Sequence, residues 1–144
     1  MTDRAELLIT RVFNAPRDLV YACMTQPEHL THFWGPTGMS TPLENITVDL
    51  RVGGAFETVM VNDETGERYP MVAVFSKVDP PDVLAWTEPE FGMTSTSTFV
   101  DLGGGRTEVR IHQTNVPAMF ATPEAQAGLQ TSFDKFDAYL IGIA

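Results

Sequence analysis

His29 and His32 stand three residues apart in a segment that reads as a short helix, a spacing that lets two imidazoles reach one metal ion. Glu28 adjoins them, but no cysteine or acidic motif nearby completes a ligand set, so solvent-facing histidines and no metal are expected. The third histidine, His112, falls on the outward side of a predicted strand. Cys23 lies on an apolar helical stripe without a neighbouring histidine or basic residue, which describes an inert small hydrophobe rather than an activated thiolate. Acid–base chemistry needs a carboxylate or imidazole held inside a cavity with a displaced pKa. Glu57 is predicted to point outward, and Glu88 and Glu90 to lie as solvated charges near a cavity mouth. No Gly-x-Ser-x-Gly elbow occurs, and Gly103-Gly104-Gly105 lacks the lysine and following helix of a phosphate-binding loop. No catalytic residue, metal or cofactor is assigned on this basis.

Short elements punctuated by proline and glycine must position these residues. Leu7 to Phe13 reads as a first strand, and Pro16 and Pro27 each suit the first turn of a short helix, where a missing N–H costs nothing. From residue 43 the period becomes that of strands: Glu44 to Leu50, Ala55 to Val61, Tyr69 to Val78, Val83 to Glu88, Thr94 to Asp101 and Thr107 to Thr114. The last element is a helix from about Pro123 to Leu140, capped by Thr122. Ala125, Leu129, Phe133, Phe136 and Leu140 form its apolar stripe, and Gln126, Gln130, Asp134 and Asp137 its opposite face. The order predicts an α+β fold: a curved antiparallel sheet of about six to seven strands around a long C-terminal helix, with two short helices after strand 1. Residues 1–144 are read as one domain.

Composition excludes several functions. The net charge is −10, with 19 acidic against 9 basic residues and no basic run, so nucleic acid and anionic membranes are not expected partners. The only cysteine leaves no internal disulfide, and the first residues show no signal peptide, so a reducing, cytoplasmic location is expected. No apolar run approaches the roughly 20 residues that span a bilayer.

A curved sheet gripping one helix leaves room for a ligand between them. Phe33 and Trp34 are predicted to cover one end of that space. Phe56, Thr58, Met71, Trp86, Ser97, Phe99, Ile111 and Gln113 are predicted to line the sheet, and Leu129, Phe133 and Phe136 the helix. Plain core packing accounts for the apolar members equally well. Ser97 and Gln113 say more, because a polar group turned inward needs a partner.

The order of motifs resembles a known family. It is carried by Leu8 through Phe13 to Ala15-Pro16, Phe33-Trp34-Gly35-Pro36, Asp49-Leu50-Arg51-Val52-Gly53-Gly54, Val78 through Pro80-Pro81 to Trp86-Thr87, and Gly128 through Phe133 to Leu140. The chain resembles the activator of heat-shock-protein-90 ATPase homologue-like family within the START-like (SRPBCC) superfamily, which includes the birch pollen allergen and the polyketide cyclases. The resemblance implies a helix-grip fold with a cavity between sheet and helix. Two positions depart from the family pattern: Leu129 stands where tryptophan is common, and Ala73 where glycine is common. The family includes a co-chaperone with an additional N-terminal domain that this sequence lacks, so a chaperone partner is not expected. The expected function is the binding of a small apolar or amphipathic molecule. The alternatives are a cyclase- or hydrolase-like enzyme using the same cavity, and a co-chaperone-like or homodimeric interaction domain.

Overall fold

The computed structural model describes residues 4–143; Met1 to Asp3, part of the stretch read for a signal peptide, lie outside the described residues. The chain begins with β1 (Arg4–Phe13), followed by α1 (Arg17–Cys23) and α2 (Pro27–Leu30). Two short strands, β2 (Met39–Ser40) and β3 (Ile46–Val48), lead into the long ones: β4 (Ala55–Asn62), β5 (Arg68–Asp79), β6 (Val83–Glu88), β7 (Met93–Gly103) and β8 (Arg106–Pro117). The last element is α3 (Pro123–Ile143).

The eight strands form one antiparallel sheet in the order β1-β8-β7-β6-β5-β4-β2, with β3 also on β4. That is one strand more than the upper end of the expected range. The two-residue β2 carries no period to detect, and the expected strand from Glu44 to Leu50 is a 3-10 turn (Leu43–Asn45) followed by the three residues of β3. The turn from Asp49 into β4 is tight: a Cβ on Gly54 would lie 2.0 Å from the Asp49 carbonyl oxygen, so only glycine fits.

Strand alternation sorts the side chains. Phe56 and Thr58 of β4, Ala73 and Phe75 of β5, Leu84 and Trp86 of β6, Ser95, Ser97 and Phe99 of β7, and Val109 and Ile111 of β8 are all buried. Glu57, Val72, Arg110 and His112 are exposed on the other face. Across the inner face these residues form rows: Trp86 pairs with Phe75 and Ser95, Ser95 with Gln113, and Gln113 with Leu7. One row on, Leu84 pairs with Ser97, Ser97 with Ile111, and Ile111 with Ile9.

The stripe on α3 is buried against this face at Phe133, Phe136 and Leu140. Phe136 stacks on Phe33, with ring centroids 4.0 Å apart, and meets Phe13 at 4.8 Å. The polar flanks fasten the helix as well. On one side Arg11 donates to Asp134 at 2.7 Å and Asp137 at 3.1 Å. On the other, Ser132 donates to the Phe33 carbonyl at 2.7 Å and Lys135 to the Met39 carbonyl at 3.1 Å. Arg11 thus falls on the α3 side of β1, and the face expected to stand opposite the apolar stripe has a protein partner.

Truncating Phe136 to alanine removes contacts to two other elements and is expected to cost about 3–5 kcal/mol, read by urea denaturation. Ile141→Ala, at a position 78% exposed on the same helix, should fall within about 0.5 kcal/mol of the parent; equal costs for the two would contradict this packing.

Candidate functional site

The interface between sheet and α3 is tighter at one end than at the other. At the tight end Phe13, Phe99, Val109, Leu84, Phe136 and Leu140 are almost fully buried. Tyr21 of α1 joins them, 5.0 Å from Phe99 ring to ring. Toward the other end, facing surfaces keep solvent contact: Leu129 and Ala125 on α3, Leu7 on β1 and Gln113 on β8 are only partly buried. The helix stripe is therefore dry at its C-terminal half and partly wet at its N-terminal half.

The expected lining residues divide along this gradient. Phe33, Phe99, Phe133 and Phe136 belong to the closed end, where they pack on one another or on Phe13 and Tyr21. Trp34, Phe56 and Trp86 form an aromatic group, with Trp34 5.3 Å from Phe56 and 6.2 Å from Trp86. Thr58 accepts the Trp34 indole N–H at 3.2 Å. Met71 pairs with Thr58 across the ladder, and Leu129 packs against the rim of the core. Ile111 lies between Ser97 and Ile9.

The polar inner-face residues differ in how they are satisfied. Gln113 donates to the Ser95 hydroxyl at 3.3 Å, so each has a partner. Ser97 is fully buried and its hydroxyl has no hydrogen-bond partner among the described residues. Position alone explains its place, since it alternates with Ser95 and Phe99; nothing local provides for its oxygen.

Glu88 corrects an expectation. The sequence predicts a solvated charge near a mouth, but Glu88 shares the inner side of β6 with Leu84 and Trp86, opposite Met93, and is 9% exposed. Burial pushes its carboxyl up to about 7, and the negative charge of Glu90 adds to the rise. Nothing among the described residues offsets these two effects with a hydrogen bond or an opposite charge. The parity of β6 was visible in the sequence and set Glu88 on the side of Trp86. The inward turn was missed because glutamate beside Pro89 and Glu90 reads as a turn. A group that titrates near neutrality can give or take a proton, or hold a cation, at that place.

The other candidates carry less. Burial pushes the Cys23 thiol up to about 11, which suits an inert core residue. His29 is hydrogen-bonded to the Tyr139 hydroxyl through Nδ1 at 2.5 Å, and His32 stacks on the same ring at 4.6 Å, so both histidines contact α3. The exposed His112 pairs with Glu6 at 2.6 Å. No group of three His, Cys, Asp or Glu able to hold a metal occurs among the described residues. No helix among them is long and apolar enough to cross a membrane.

Comparison with known proteins agrees with this fold. A family model described as Activator of Hsp90 ATPase homolog 1-like protein matches residues 14–141. A crystal structure of a Nitrosomonas europaea protein is 26% identical, with a TM-score of 0.81 over 95% of this chain and 94% of that one. One from Rhodobacter sphaeroides is 17% identical, with a TM-score of 0.87 over 100% and 97%. The solution structure of an AHSA1-like protein from Aeromonas hydrophila is 21% identical, with a TM-score of 0.81 over 96% and 93%. No curated protein matches the chain.

The raised Glu88 carboxyl has a consequence for stability. Between its ordinary 4.5 and about 7 the folded protein holds a proton that the unfolded chain has released. Stability from this group is therefore full below pH 4.5 and is lost as pH rises toward 7, by an amount of order 3 kcal/mol. Glu88→Gln removes the titration. Urea denaturation at pH 5 and pH 8 should show the variant gaining on the parent as pH rises, and parallel pH profiles would refute the burial of Glu88.

Proposed function

This chain belongs to the Activator of Hsp90 ATPase homolog 1-like protein family, and on that premise we propose that it binds a small hydrophobic or amphipathic molecule between the inner face of the sheet and the N-terminal half of α3. The observation that carries this reading is Ser97, a buried hydroxyl without a partner among the described residues, on a surface built mainly from aromatic and aliphatic side chains. An unsatisfied buried hydroxyl costs about 1–3 kcal/mol, which a ligand's polar group offsets. Trp34, Phe56, Met71, Trp86, Ile111 and Leu129 supply apolar area, while Thr58, Gln113 and Ser97 supply the few polar groups that orient a ligand. Phe33, Phe99, Phe133 and Phe136 close the far end of the site. A reducing, cytoplasmic setting suits the single buried thiol of Cys23.

One observation favours a second reading, an acid–base enzyme of the cyclase or hydrolase kind working in the same space. Such an enzyme requires a titratable group turned inward, and Glu88 is one. The two readings separate on what happens to the bound molecule: a binding protein returns it unchanged, whereas an enzyme changes its mass or connectivity and Glu88→Gln stops the change.

Native mass spectrometry of gently purified protein should show a bound species of small mass. Titration with the neutral fluorescent probe N-phenyl-1-naphthylamine should show saturable binding. Leu129→Trp fills the partly exposed turn of α3 and is expected to weaken probe binding by about tenfold, the scale of one lost apolar contact region, with the fold retained by circular dichroism. Absence of a bound species, together with no saturable probe binding, would sink the reading.

A further inference from the structure

Glu88 is a buried inner-face carboxyl that forms no ion pair with an arginine or lysine among the described residues. The ion pairs of the described residues involve Glu6, Asp49, Asp82, Glu108, Asp134 and Asp137. Arg11 is drawn to the α3 carboxylates instead. A buried carboxyl left this way is costly when ionised and becomes favourable only when a cation or a strong donor arrives with a ligand.

Three features around it say which ligand chemistry fits. Glu88 lies one step along β6 from Trp86 on the same face, and Trp86 packs edge to face with Trp34 and Phe56, so the carboxyl stands beside a large apolar surface. The chain carries a net charge of −10, a field that concentrates cations and repels anions. Ser97 lies two inner-face rows deeper than Glu88, about 13 Å along the strand direction at the usual rise per residue. The residues between are apolar or already paired, as Trp86 and the Ser95–Gln113 couple show.

We infer that the ligand bound between the sheet and α3 is an amphipathic cation: an elongated apolar body, about 13 Å long, bearing one primary or secondary ammonium group, which Glu88 receives at the partly exposed end, and a polar group at its far end that meets the Ser97 hydroxyl. This deepens the ligand-binding reading and rests on it. Glu88 acts as the counter-ion, its carboxylate accepting the ammonium N–H while the apolar body lies along Trp86 and Leu129. No bond is made or broken.

Three probes of equal chain length decide the matter: decylamine, decanol and decanoate, each below its micelle concentration. Binding is measured by calorimetry at pH 8, where Glu88 is mostly ionised. The parent protein should bind decylamine at least about tenfold more tightly than decanol, the scale of one charge-assisted hydrogen bond, and decanoate least of all. In Glu88→Gln the amine should fall to the level of decanol, with decanol unchanged within about threefold, which also reports that the variant is folded. The preference should persist at high salt, because a buried pair is poorly screened. Decanol binding without a preference for the amine, or a preference that survives Glu88→Gln, overturns the inference and leaves the ligand-binding reading standing. Failure of all three probes to bind the parent counts against that reading itself.

Discussion

Phe136 lies against Phe33, the turn after α2, on one side and Phe13, the end of β1, on the other, and this aromatic sandwich sets where α3 crosses the sheet. Three parts of the chain meet there, far apart in sequence. Once Phe136 is seated, Phe133 meets Phe13 edge to face at 6.2 Å and Leu140 is buried one turn on. Ser132 and Lys135 then reach the carbonyls of Phe33 and Met39. Aromatic packing of this kind is worth more than its buried area alone. It concentrates the grip of the helix at its C-terminal half.

The first stretch of α3, from Pro123 to Leu129, has no comparable anchor among the described residues. Thr122 caps it, through the Ala125 N–H at 3.1 Å, and Gln126 reaches the Phe120 carbonyl, but both contacts are local. The side chains that face the sheet from this stretch are Ala125 and Leu129, small or moderate in size and partly exposed. The part of the sheet with a buried carboxyl and an amide, Glu88 and Gln113, lies away from the aromatic sandwich. Polar groups there weaken the core: Glu88 is desolvated, and deeper in, Ser97 lacks a partner. A sequence selected only for packing would place aliphatic residues at both positions, and departures of this sort are expected where a protein meets a ligand.

Charge is arranged on the same plan. Most acidic residues are solvated, which accounts for a chain with a net charge of −10. The two acidic residues of α3 nearest β1, Asp134 and Asp137, share Arg11, whose guanidinium also lies 5.8 Å from the Phe13 ring. Arg11 covers the side of the aromatic sandwich and neutralises the helix flank. Glu88 receives no such service. The solved structures of similar proteins share the fold of this chain.

Much of the architecture was legible because it follows from short-range geometry. Alternation in β6, β7 and β8 put Trp86, Ser97 and Ile111 on one face. The spacing of Leu129, Phe133, Phe136 and Leu140 marked a helix with one apolar stripe, and Pro123 and Thr122 marked its start. Each of these depends on a residue and its near neighbours in the chain. The short strands β2 and β3 were not legible as such, because two or three residues held by pairing with β4 carry no period of their own. Nor was the burial of Glu88, the sharing of Arg11 by two aspartates, or the division of the expected lining residues between a packed end and a partly open one. Those depend on where α3 rests on the sheet, which contacts between β1, the turn after α2 and α3 decide. Local periodicity states which face a side chain occupies; only the assembled tertiary structure states how far that face stands from its partner, and that distance separates a core from a binding site.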